Sequence, residues 1–450
     1  MSLPSSPVSA PPGDHAVWIT SGDGRFLIQR TEPAPASLPS RTIDLDDGRI
    51  FQTVRGFGFT LTGGSALLLS RMTPERREAL LQELFAPDGP ARVSCLRLAV
   101  GASDLGVRAF TYDDVPAGES DWGLERFDLF AGDTELLPIL REILAIAPDL
   151  FIIASPWSAP AWMKTNHGLV GGALRPDCHD VYARYLVRYL VEMQKQGVTV
   201  HAITVQNEPG NAKNDPSMTM SAEQQAEFVG RSLGPMMRTA GLETDIFCHD
   251  HNCDDPGYPL AVLADARAKP YLAGSAFHLY AGDPDAMGLV HDRHPDKACI
   301  FTEQWVGRWD DFPGALMWHG ERVLVGALRN WAEIVLEWNL AADPDCGPHT
   351  PGGEANCVGA VTLDGDKVTH NVAYYLIAHA ARFIPPGSRR IGSGDAVPNA
   401  AFLTPMGRIA VIAVNPTDAP MALALTLRGA ALATIELPAK ALATGVWTPP

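Results

Sequence analysis

The sequence predicts an α/β protein: a (β/α)8 TIM barrel with a side β-sandwich domain formed from both termini. Three observations predict it. Short apolar runs alternate with helix-patterned segments from about residue 51 to 383, eight such units can be counted, and both ends read as strands without helices. Alternation of this kind means a parallel sheet, and eight units favour closure into a barrel, although an open doubly wound sheet fits the same pattern. With 450 residues, 46% apolar and 19% charged, the chain has ample material for such a core and is excluded from the disordered class.

The candidate barrel strands are 56–61, 96–100, 150–155, 200–205, 245–248, 275–280, 299–302 and 335–338. Helical patterns lie at 74–85, 134–147, 177–196, 222–240, 258–268, 321–332 and 372–383. Some carry start signals, as in Thr73-Pro74-Glu75 and Ser221-Ala222-Glu223. Ahead of the barrel, 18–29 and 41–53 read as strands. After Pro385-Pro386-Gly387 the runs 400–403, 409–415, 422–427 and 434–437 are separated by Pro, Gly and Asn-Pro breaks, which is antiparallel β chemistry. The predicted division is a flexible tail over 1–13, a β-sandwich from 14–53 plus 385–450, and a catalytic barrel over 54–384.

Charge and cysteine usage narrow the function. Lys+Arg 35 against Asp+Glu 52 gives a net charge of −17, which repels nucleic acid and anionic membrane and favours solubility. Seven scattered cysteines without a C-x-x-C pair make neither a disulfide framework nor a standard zinc site. No apolar run approaches the ~20 residues of a transmembrane helix. The Pro- and Ser-rich start lacks a basic n-region and an apolar h-region. The expected location is therefore secreted or periplasmic if a leader has been trimmed, and cytoplasmic otherwise.

Common catalytic templates are missing: there is no G-x-S-x-G, no Walker A loop and no H-E-x-x-H, and Gly56-Phe57-Gly58 lacks the third glycine of a dinucleotide fingerprint. The strongest positive signal is Gln206-Asn207-Glu208-Pro209 after the fourth strand, on the barrel face where active sites form. A second carboxylate, Glu303, ends the seventh strand. Glycosidic hydrolysis needs such a pair, one as acid and one as nucleophile or base. The competing reading is two solvated or ion-paired glutamates. Aromatics favour the sugar reading: Trp157 follows the third strand, His278-x-Tyr280 the sixth and Trp338-Asn339 the eighth. Sugars stack C–H faces on such rings and hydrogen-bond to amides and carboxylates. Asp104 could accept bonds from hydroxyls. Arg97 could keep a neighbouring carboxylate ionised or form a structural ion pair. The segment from Cys248 to Asp255 offers metal-ligand types, but its spacing matches no standard site.

At these residues the chain resembles glycoside hydrolase family thirty, the glucosylceramidase and β-1,6-glucanase family. The match runs from about Gly56 to the C-terminus. It rests on Gly56-Phe57-Gly58, Arg97 with Asp104, Thr111-Tyr112, the run from Ser155-Pro156-Trp157 to Thr165-Asn166, Asn207-Glu208-Pro209, Thr302-Glu303, Trp338-Asn339 and Pro385-Pro386-Gly387. The resemblance implies retaining hydrolysis of β-glucosidic bonds by double displacement, in a β-glucoside, a β-1,6-glucan or glucosylceramide. Retention implies carboxyl groups ~5–5.5 Å apart. By resemblance Glu208 is the acid/base and Glu303 the nucleophile. Asp104, Trp157, Asn207, Tyr280 and Trp338 contact substrate. Arg97 and His278 support the site, and Tyr280 with Arg97 lies where the family supports the nucleophile.

The expected partner is a carbohydrate or glycoconjugate substrate, with no cofactor and no metal. The alternatives are a non-catalytic carbohydrate-binding protein, a retaining β-xylosidase, β-fucosidase or β-galactanase of the same family, and a metal-dependent hydrolase using the Cys248–Asp255 segment. Phe59-Thr60-Leu61-Thr62, Gln304-Trp305 and the loop around Glu354 depart from the glucosylceramidase pattern, and Glu354 stands where a second cysteine is common. A disulfide to Cys357 is therefore not expected. The proton donor Glu208 is expected to titrate high beside a negative Glu303.

Overall fold

The computed structural model describes residues 16–31 and 40–449; the tail expected over 1–13 lies outside the described residues. Eight parallel strands close into a barrel: β1 Gly56–Thr60, β2 Cys95–Val100, β3 Phe151–Pro156, β4 Ala202–Thr204, β5 Asp245–Asn252, β6 Leu272–His278, β7 Ala298–Glu303 and β8 Ala332–Asn339. Each pairs with its neighbours in sequence, and β8 closes on β1. The period-2 alternation of a strand decides which side chains face inward. In β2 these are Cys95 and Arg97; in β3, Ile153 and Ser155; in β4, Ala202 and Thr204. The lower interior is apolar, filled by Cys95, Ile153, Ala202, Phe247, Ala276, Ile300 and Ile334. One step higher the same strands supply Arg97, Ser155 and Thr204, so the core turns polar at the carboxyl ends.

The helices follow from their sequences. Pro74–Phe85 starts with proline in its first turn, where the missing N–H costs nothing, and buries Leu80, Leu81, Leu84 and Phe85. His179–Lys195 buries Tyr182, Tyr185, Leu186, Tyr189, Leu190 and Met193 at helical spacing. Ser221 and Gln224 form a capping box at the start of Ala222–Phe228. Two helices escaped the periodicity. Gly63–Ser70 opens on two glycines, and Asp285–Arg293 shows only Ala286, Met287 and Val290 to the core. The helix expected at 321–332 starts earlier, at Phe312, and passes through a π-helical turn at His319–Val325.

The two ends of the chain form one nine-stranded sheet. Ala16–Ser21 pairs with Ala441–Trp447, and Ser40–Thr53 lies between Arg389–Ser393 and Met421–Leu427. Side chains from opposite ends of this sheet, such as Val17, Ile19, Leu423, Ile435 and Trp447, share one core, so the sheet folds over as a sandwich. The run 18–29, expected as one strand, breaks at a turn between Ser21 and Gln29. The strands Arg389–Ser393 and Ala441–Trp447 were not foreseen. All seven cysteines are buried free thiols. No helix among the described residues is long and apolar enough to cross a membrane.

Candidate active site

Arg97 organises the upper end of the barrel. It is fully buried, and its guanidinium donates to Ser155 Oγ at 2.9 Å, Glu303 Oε2 at 2.5 Å, Asn207 Oδ1 at 2.7 Å and Asp250 Oδ2 at 2.8 Å. Three strands and the turn after β4 thus converge on one cation. A buried guanidinium survives only when its donors are matched this way. Asp250 is correspondingly saturated: it also accepts from Thr204 Oγ1 at 2.6 Å and Thr302 Oγ1 at 2.7 Å, and meets His278 Nε2 at 3.1 Å. The Arg97 charge and these hydrogen bonds outweigh burial and hold its carboxyl well below the usual range.

Glu303 ends β7 and points into the same space. Arg97 grips one carboxylate oxygen, and Tyr280 donates its hydroxyl to the other at 2.9 Å. Glu208 sits just beyond β4 in the left-handed region, φ 45°, with its N–H donating to Asp250 O at 2.9 Å. Its Oε1 lies 3.1 Å from His278 Nδ1, and its Oε2 accepts from Asn211 at 2.8 Å. His278 Nδ1 is also 3.8 Å from Glu303 Oε1. One imidazole nitrogen therefore lies between the two carboxylates. Asp104 is buried beside them and accepts the Glu354 N–H at 3.2 Å.

The electrostatics correct one expectation. Glu208 does not titrate high: burial pushes it up, but the two imidazoles of His251 and His278 outweigh burial and hold it well below the usual carboxylate range. His278 moves the other way. Burial disfavours its charge, yet the Glu303 charge and the hydrogen bonds to Asp250 and Glu208 push it up to about 9. Burial keeps Glu303 above the usual range, although His278 and Arg97 pull it down. Burial, then the charge of Glu303, pushes Asp104 up to about 7. Between Glu208 and His278 these opposite shifts favour the proton on the imidazole, whose Nδ1 faces Glu208 Oε1.

Aromatic rings flank the carboxylates. Trp157 and Trp338 stack at 5.3 Å with 27° between planes, and Arg97 lies over the Trp157 ring at 4.8 Å. A cavity of about 380 Å³ runs past Tyr280, Gln304, Trp305, Trp309 and Trp318, and Trp305 packs against the cluster that holds Trp157 and Trp338. The Trp305 ring lies 6.3 Å from that of Tyr280 and 5.8 Å from that of Trp309, a residue 66% exposed.

All nine residues singled out in the sequence meet here: Arg97, Asp104, Trp157, Asn207, Glu208, His278, Tyr280, Glu303 and Trp338. Asp250 was missed as a site residue. The sequence places it in the Cys248–Asp255 segment, but β5 bulges, with positive φ at His249 and Asp250, and this turns the Asp250 side chain inward. His249 packs instead on Tyr258 and Phe277, while His251 faces Glu208. The polar ending of that strand, the same signal that exposed Glu208, was the available clue. Among the described residues, donor atoms of Glu208, His251 and His278 lie within 4.8 Å of one another and could hold a cation.

Comparison with known proteins agrees with this geometry. The glycosyl hydrolase family 30 TIM-barrel model matches residues 54–384, and the family's β-sandwich model matches 387–445. An endo-1,6-β-D-glucanase of Neurospora crassa is 33% identical over 393 residues, spanning 82% of this chain and 80% of that protein. The lysosomal acid glucosylceramidase of Mus musculus is 27% identical, over 84% and 78%. A solved endo-β1,6-glucanase structure superposes with a TM-score of 0.89 at 32% identity, covering 98% of this chain and 100% of that one. The chain is a glycoside hydrolase and belongs to family 30.

Proposed function

We propose that this glycoside hydrolase cuts within β-1,6-linked glucan chains, with retention, using Glu303 as nucleophile and Glu208 as acid/base. The observation that carries the reading is the pair of buried carboxylates on either side of one imidazole nitrogen, His278 Nδ1. Glu303 attacks the anomeric carbon while the proton held by His278 passes through Glu208 to the leaving oxygen. Water then attacks the glycosyl-enzyme, and its proton returns through Glu208 to His278, restoring the starting state. Arg97 and Tyr280 each hold one oxygen of Glu303 and fix its aim. Asp104, Asn207, Trp157 and Trp338 receive the glycone.

The run of rings from Trp157 and Trp338 through Trp305 to the exposed Trp309 suits a substrate longer than one sugar, and the relatives named as endo-1,6-β-glucanases support the same linkage. The test compares wild type with Glu303→Gln on β-1,6-glucan, an aryl β-glucoside and glucosylceramide, following the product anomer by NMR. The reading expects short β-1,6-linked oligosaccharides released first as the β-anomer, and no turnover by the variant. Release of the α-anomer, or glucose alone from the chain end, would overturn it.

A further inference from the structure

We infer that the barrel mouth contains an inhibitory site for a zinc-type divalent cation, formed by Glu208 Oε1, His251 Nδ1 and His278 Nδ1. Two imidazoles and a carboxylate are a zinc-type donor set, and three protein ligands leave a fourth position open to water. Glu208 Oε1 lies 3.1 Å from His278 Nδ1 and 3.7 Å from His251 Nδ1, and all three donor atoms fall within 4.8 Å. Ligands about 2.0–2.1 Å from zinc in a tetrahedron stand roughly 3.3 Å apart, a spacing that the two Glu208 distances bracket.

Two features point to a ligand rather than to chance proximity. His251 Nδ1 is a buried atom with no hydrogen-bond partner, and such an atom is costly to leave unmatched. His278 is already oriented as metal-binding histidines are: its Nε2 is tied to Asp250, which Thr204, Thr302 and Arg97 hold in place. That leaves Nδ1 facing Glu208, ready to take a cation in place of a proton. The His251 side chain is 21% exposed, which gives a route in. Cys248 and Cys253, the other donors suggested by this stretch of sequence, are buried in the main core and take no part.

Binding rests on these atoms alone. Inhibition rests also on the proposed role of Glu208, because a metal-bound carboxylate cannot pass a proton to the leaving group. Zinc chloride is titrated by calorimetry into the full chain in phosphate-free buffer, with aryl β-glucoside hydrolysis followed over the same concentrations. Cobalt(II) absorption reports the coordination geometry of the wild type independently of any variant. The expected result is one cation per chain, a tetrahedral cobalt band, loss of activity along the binding isotherm and recovery with chelator. His251→Phe and His251→Asn should each weaken binding by about tenfold or more, a scale that even an outer-shell partner reaches. Absence of stoichiometric binding and of the cobalt band, or binding unchanged in both folded variants, would overturn the site. Binding without inhibition would uphold the site and overturn the role given to Glu208.

Discussion

Two buried histidines in this molecule experience opposite fates. His278 stands at the barrel mouth among Glu208, Asp250 and Glu303, and is pushed up to about 9. His379 stands where the helix Val372–Ala381 meets the sandwich, with Nε2 2.9 Å from Thr20 Oγ1 and Nδ1 3.0 Å from Thr444 Oγ1. The Thr444 hydroxyl gives its hydrogen to His379 O, so Nδ1 donates to Thr444 and Nε2 accepts from Thr20. That network satisfies a neutral ring. Burial, aided by the Arg382 charge, pushes His379 down to about 3. Burial is complete in both places, so the difference lies in the partners. Hydroxyls tie two domains together through a neutral ring, whereas carboxylates hold a proton where chemistry can use it.

Removing the cation that holds the mouth together should have the largest effect. Arg97→Met leaves Asp250 and Glu303 buried without their shared partner. It should cost about 3–5 kcal/mol of stability in a denaturant titration, together with activity. His278→Asn tests the proton store. His278 keeps its proton below about 9, so the basic limb of kcat/KM should lie near there in the wild type and move to lower pH in the variant. About a hundredfold loss is expected at pH 8. An unmoved limb would break the comparison at its active end.

His379→Gln tests the other end. The folded-state value lies below the ordinary 6.5, so its contribution is present above 6.5 and is lost as pH falls toward 3. The wild type should lose about 1.4 kcal/mol per pH unit over that window through this group, and the variant should show a flatter acid limb with kcat unchanged. The smallest effect concerns the cleft. Trp309→Ala should lower kcat/KM on β-1,6-glucan about fivefold, as expected for one stacked ring, with a smaller drop on an aryl glucoside.

Much of this was legible before folding. Strand ends in a barrel converge, so a carboxylate after one apolar run and another three units later can share one volume, and the neighbouring aromatics and the family resemblance singled out Glu208 and Glu303. Barrel order was equally readable because each strand pairs with its sequence neighbours. Asp250 was not legible, since only the β5 bulge turns it toward Arg97. Nor was the low titration of Glu208. Sequence shows its likeness to Glu303 but not the two imidazoles that β5 and β6 bring against it. His379 gave no signal at all, because its partners lie at opposite ends of the chain, at Thr20 and Thr444.

The most direct measurement is an NMR titration of histidine-¹⁵N-labelled protein, with His278 and His379 assigned from the spectra of His278→Asn and His379→Gln. At neutral pH His278 should carry protons on both ring nitrogens and release one only near pH 9. His379 should stay neutral, protonated at Nδ1, down to about pH 3 unless the fold gives way first. A His278 resonance of neutral imidazole at pH 7 would contradict the account, because the carboxylates would then not be holding the proton that the proposed chemistry spends.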